Sequence, residues 1–120
     1  MKRRVIAAVD DLFFAAKIRA TAEQLGIQIE VGRDPAAILA SARAERPALI
    51  IADLQAQRLD PFALARALKA DETLRTVPIV GFYSHVQTEF QEQAKQAGYD
   101  RVMPRSAFTQ RLPELLQGQI

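Results

Sequence analysis

Asp10 and Asp11 follow directly on the apolar run Val5–Val9, and Asp53 closes a second apolar run, Ala48–Ala52. Each run is about the length of a buried strand. Side by side in a parallel sheet, the two runs would deliver three carboxylates to one edge. Carboxylates so placed repel one another unless a cation or a basic side chain sits among them. Oxygen donors of this kind suit Mg²⁺, which keeps several waters and takes few carboxylates. An aspartate at a strand end also serves to cap the helix that follows, so Asp10 or Asp11 is open to that role. An adjacent pair with a third on another strand is harder to account for by capping alone, because the desolvation of each must be offset.

The elements that must hold these residues alternate along the chain. Short runs rich in Val, Ile and Leu occur at Val5–Val9, Ile27–Val31, Ala48–Ala52, Ile79–Phe82 and, more weakly, Arg101–Met103. Between them lie segments with helical spacing. Phe14, Ile18, Ala22 and Leu25 form one stripe, Val86, Phe90, Ala94 and Ala97 a second, and Phe108, Leu112, Leu115 and Leu116 a third. Asp34-Pro35 and Asp60-Pro61 each have the form of an N-cap followed by proline at the first helical position. Gly26 and Gly98 come after helical stripes, where a residue at positive φ ends a helix. Pro113 would cost about 3 kcal/mol inside a helix, so the last helix is expected to kink there or to give way to a new one that Pro113 opens. Five strand–helix repeats imply an α/β fold in three layers, a parallel sheet with helices on both faces. Ligands bind such sheets at the carboxyl ends of the strands, where the three aspartates stand.

Composition narrows the chemistry further. The 120 residues suit a single domain, taken as 1–120, and the 49% apolar and 25% charged content is a globular balance. The absence of cysteine removes disulfides, thiolate metal sites and cysteine nucleophiles. The lone histidine, His85, precludes a multi-histidine metal centre. No apolar run is long enough to span a bilayer or to form a signal peptide, so a cytoplasmic protein without membrane insertion is expected. The net charge is +2 and the basic residues are scattered, so direct nucleic-acid binding is not expected. The chain lacks a GxGxxG dinucleotide loop, a P-loop and a GxSxG elbow. Asp10-Asp11-Leu12 breaks the D-x-D pattern of dehalogenase-type phosphatases, leaving a small phosphohydrolase with Asp53 as nucleophile as a remote alternative.

The pattern that remains resembles a CheY-type response-regulator receiver domain over essentially the whole chain. It rests on Val5-Ile6-Ala7-Ala8-Val9-Asp10-Asp11, Ala48-Leu49-Ile50-Ile51-Ala52-Asp53, Val77-Pro78-Ile79-Val80 and Ala97-Gly98-Tyr99-Asp100. The resemblance implies a flavodoxin-like (βα)5 fold with strand order 2-1-3-4-5. It implies that Asp53 is the phosphoacceptor, forming an acyl phosphate. Mg²⁺ would be held by Asp11, Asp53 and the backbone carbonyl of Gln55, with Asp10 acting through water. The phosphoryl donor would be a histidine kinase or a phosphotransfer protein, and the output would pass through a protein target rather than an enzymatic activity. A phosphorylation-independent pseudo-receiver, in which Arg105 pairs with Asp53 and the domain is a constitutive interaction module, is the alternative.

Several positions depart from the receiver pattern. Seven residues beyond Gly98 the usual lysine is Arg105, which cannot lose its charge and grips carboxylates with a planar fork. The usual proline after it is Ser106, a candidate cap for the last helix. Tyr83 stands where a Thr or Ser usually contacts the phosphoryl group, with Ser84 one residue late. A tyrosine there would crowd the site, which favours Ser84. Val102 replaces the aromatic residue of the fifth strand, and Gln57 and Pro61 replace the proline and glycine usual in the loop after Asp53. His85 is expected as a loop or capping residue, and the polar run on the helix after it (Gln87, Glu89, Gln91, Glu92, Gln93, Gln96) as a solvated face.

Overall fold

The computed structural model describes residues 3–84 and 88–120. Strand β1 (Arg4–Ala8) leads into helix α1 (Leu12–Gln24), β2 (Gln28–Gly32) into α2 (Pro35–Ala44), and β3 (Leu49–Asp53) into α3 (Pro61–Ala70). Then come β4 (Ile79–Tyr83), α4 (Thr88–Ala97), β5 (Arg101–Pro104) and α5 (Arg105–Leu116). All neighbouring strands are parallel, and their order is β2-β1-β3-β4-β5. This is the flavodoxin-like order that the resemblance implies, in the parallel α/β sheet expected from the alternation, with strand ends within a residue or two of the apolar runs. No helix among the described residues is long and apolar enough to cross a membrane.

Side chains alternate across a strand, and here the alternation separates two cores. Val5, Ala7 and Val9 pack with Leu49, Ile51, Val80 and Phe82 under α1 and α5. Ile6, Ala8, Ile50 and Ala52 pack on the other face under α2, α3 and α4. The stripe residues Phe14, Ile18 and Ala22 of α1 and Phe108, Leu112, Leu115 and Leu116 of α5 are all buried. On α4, Ala94 and Ala97 are buried and Phe90 is half-buried. Val86, His85 and Gln87, named above for this region, lie outside the described residues.

The punctuation acts as its chemistry predicts. Asp34 and Asp60 cap α2 and α3, Asp34 accepting from the Ala36 amide and Asp60 from those of Phe62 and Ala63. Proline follows each cap, where no helical amide is lost. Gly98 adopts φ +116°, and the aliphatic stem of Lys69 lies where a side chain would project. Helix α5 runs through Pro113 to Leu116, so the proline neither ends it nor opens another. Burial of Leu112, Leu115 and Leu116 around it, at about 1.5–3 kcal/mol each, outweighs the missing bond. Ser106 does not cap α5: that helix begins at Arg105 and its N-cap, Pro104, has no side-chain bond to give.

Candidate functional site

Register brings the strand ends level. Ala8 of β1 pairs with Ala52 of β3, so Val9 lies beside Asp53, with Asp10 and Asp11 just past it. Asp53 in turn pairs with Phe82 of β4, and Tyr83 pairs with Pro104 of β5. One residue further on, Ser84 and Arg105 follow β4 and β5 and line one open groove. Strand register thus brings the three aspartates to the edge at which the serine and the arginine also stand.

Each carboxylate then finds different partners. Asp10 Oδ2 accepts from the backbone amides of Gln57 and Arg58, at 3.1 and 3.2 Å, and so braces the loop after β3. Asp11 caps α1, its Oδ1 accepting from the amides of Phe13 and Phe14 at 3.0 and 3.1 Å. Its second oxygen, Oδ2, takes the Arg105 guanidinium at 3.1 Å. The Phe14 amide, then Arg105, hold the Asp11 carboxyl below its ordinary pKa. Asp53 is half-buried, and its Oδ1 accepts from the Gln55 amide at 2.9 Å. Burial pushes the Asp53 carboxyl up, the negative charges of Asp10 and Asp11 push it further, and the Gln55 amide and Arg105 only oppose this. No salt bridge reaches Asp53 among the described residues.

Arg105 therefore does not make the ion pair with Asp53 that a locked site would require. It pairs with Asp11 because its guanidinium is anchored over the Phe14 ring, 4.0 Å from the centroid, and Phe14 is one helical turn beyond Asp11. Tyr83, named with Ser84 as a candidate phosphoryl contact, turns away from the face that carries Asp53. Alternation sends its buried ring into the core under α3 and α4, where its hydroxyl accepts from Gln91 Nε2 at 3.0 Å. Ser84, one residue on, falls on the Asp53 side of the sheet and lines an open groove with Phe14, Lys17 and Arg105. Two contributors were not legible in the sequence. The Gln55 side chain crosses to β4 and its Oε1 accepts from the Ser84 amide at 2.6 Å. Phe14, placed only in the core stripe, also carries the arginine. Val102 is half-buried at the edge of the α3–α4 core, Pro61 is the buried first residue of α3, and Gln57 contributes its amide to Asp10.

The donor chemistry of the cluster suits a hard divalent cation: carboxylate oxygens at one edge, with repulsion on Asp53 that a cation would offset. In the arrangement described, Asp11 spends both oxygens on α1 and Arg105. Among the described residues, no three acidic, histidine or cysteine side chains form a ready cage.

No protein-family model matches the chain, and no curated protein matches it by sequence. Solved structures do, and they define the class: the chain has the fold of CheY-like response-regulator receivers. It is similar to the chemotaxis response regulator CheY4 of Vibrio cholerae, at 20% identity and a TM-score of 0.85 over 100% of both chains. It is also similar to the phosphorylated cyanobacterial phytochrome response regulator RcpA, at 19% identity and a TM-score of 0.81 over 98% of this chain and 91% of that one. A response regulator from Burkholderia multivorans aligns at 24% identity and a TM-score of 0.77, over 98% of this chain and 94% of that one. At these identities the likeness establishes the fold.

Proposed function

We propose that this chain is a receiver domain of a two-component phosphorelay, a non-enzymatic signalling module in which Asp53 accepts a phosphoryl group. The observation that carries the reading is Asp53 itself, half-buried at the tip of β3 beside two other aspartates and in no ion pair among the described residues. Its Oδ2 has no hydrogen bond or salt bridge among the described residues, so it is available as nucleophile. In the transfer, this oxygen bonds to phosphorus as the bond from phosphorus to the donor nitrogen of a histidine kinase or phosphotransfer protein breaks. The bonding pair leaves with the donor, and the product is a mixed anhydride. Mg²⁺ held by Asp11, Asp53 and the Gln55 carbonyl, with Asp10 acting through water, would neutralise charge on the phosphoryl oxygens. Ser84 and Arg105 flank the position as a hydroxyl and a fixed positive charge. Leu12 and Phe13, 66% and 91% exposed beside the acids, offer an approaching protein donor an apolar foothold. The phosphorylated domain would then act on a downstream protein partner in the cytoplasm, with no part for nucleic acid or membrane.

Exposure to acetyl phosphate with Mg²⁺, followed by intact mass measurement, tests this. One added phosphoryl group is expected in the wild type and none in Asp53→Asn. A second reading, the constitutive pseudo-receiver, would keep Asp10 on the loop after β3 and Asp11 on Arg105, the bonds they make here, although Arg105 pairs with Asp11 rather than Asp53. An unmodified wild type alongside a modified Arg105→Lys would establish that reading in place of the first.

A further inference from the structure

We infer that Arg105 is a tethered competitor for the divalent cation at Asp11, so that the acidic cluster takes up metal only as the Arg105–Asp11 ion pair opens. The inference rests on the metal-assisted reading above and concerns what this chain's own arginine does to it.

A cation shared by Asp53 and Asp11 needs an oxygen from each. Asp11 Oδ1 is committed to the first turn of α1 through the amides of Phe13 and Phe14. Asp11 Oδ2 is the remaining oxygen, and Arg105 Nη2 sits on it at 3.1 Å. Two cations on one carboxylate oxygen repel at short range, so the metal and the guanidinium compete for it. Arg105 is not a loosely drifting side chain. Its guanidinium lies 4.0 Å from the centre of the Phe14 ring, and that ring is wedged against Phe82 and Phe108, at 4.9 and 5.8 Å between centroids. The competitor is therefore pre-positioned by the core, at high effective concentration. Binding linkage makes the effect reciprocal: a metal at Asp11 loosens Arg105 from both Asp11 and Phe14.

The test is a Mg²⁺ titration of the intact chain by calorimetry and by NMR, on the wild type, Arg105→Gln and Arg105→Lys, with each variant's fold checked by circular dichroism. Arg105→Gln is expected to bind Mg²⁺ about tenfold more tightly than the wild type, and Arg105→Lys by a smaller factor. Charge repulsion alone would also favour the glutamine variant, so the deciding signal is the aromatic one. In the wild type, Mg²⁺ should shift the Phe14 ring protons and the Arg105 Nε–H resonance as the stack opens, and in Arg105→Gln the ring shift should be absent. Equal affinities, or binding that leaves Phe14 and Arg105 unperturbed, would overturn the inference and leave the receiver reading standing. Failure of all three proteins to bind Mg²⁺ would overturn the inference and remove the metal from the proposed function as well.

Discussion

Asp11 and Asp53 belong to one cluster, yet their surroundings drive them in opposite directions. Asp11 gains two amides and a guanidinium for its charge. Asp53 gains one amide and loses more to burial and to its neighbours. The pH signatures follow with opposite sign. The raised Asp53 pKa makes its ionised form the costly one, so its contribution to stability falls as pH rises from the ordinary carboxylate range through the raised value. The lowered Asp11 pKa gives a contribution that is present above that range and lost as pH falls through the lowered value. Asp53→Asn should therefore raise the melting temperature near pH 7, and the gain should vanish below about pH 4, where the wild-type carboxyl is also neutral. Asp11→Ala should cost about 1–2 kcal/mol in urea denaturation near pH 7, through the lost cap alone. The capping option for Asp11 was visible in the sequence. Its arginine was not, because Arg105 is 94 residues away and three carboxylates compete for it.

At the scale of elements, local chemistry was the more legible part. Each Asp-Pro pair announces a helix start because the aspartate satisfies orphan amides and the proline has none to lose. Gly98 announces a stop, since its φ of +116° is open to glycine and strained for other residues. Gly98→Ala should lose more than about 1 kcal/mol by thermal denaturation, because the added methyl also meets the Lys69 stem. The end of β4 was ambiguous for a physical reason. Strand alternation decides between Tyr83 and Ser84, and a one-residue error in where the strand stops reverses both side chains. The Gln55 bond to the Ser84 amide then ties that end to the loop after β3. Gln55→Ala should speed hydrogen exchange at the Ser84 amide by about fivefold, the worth of one net hydrogen bond.

Across the whole molecule, the sheet separates the two cores, and the α1–α5 core is the one joined to the site. Phe14, Phe82 and Phe108 meet at its top, with centroids 4.6–5.8 Å apart, and Arg105 closes the stack beside Asp11. A ligand that takes Asp11 therefore acts on the packing of two helices. If the cluster takes up Mg²⁺ as proposed, a hundredfold excess over its dissociation constant should stabilise the fold by about 2.7 kcal/mol, seen as a melting temperature that climbs with Mg²⁺ concentration. The sequence by itself determined the alternation of elements, their caps and the delivery of three aspartates to one sheet edge, because these depend on periodicity and on neighbours within a few residues. The tertiary structure alone decided which carboxylate takes Arg105, which way Tyr83 turns and what Gln55 holds. Those outcomes depend on register and on packing between residues far apart in the chain, where several partners of equal chemistry compete and only their positions in space choose among them.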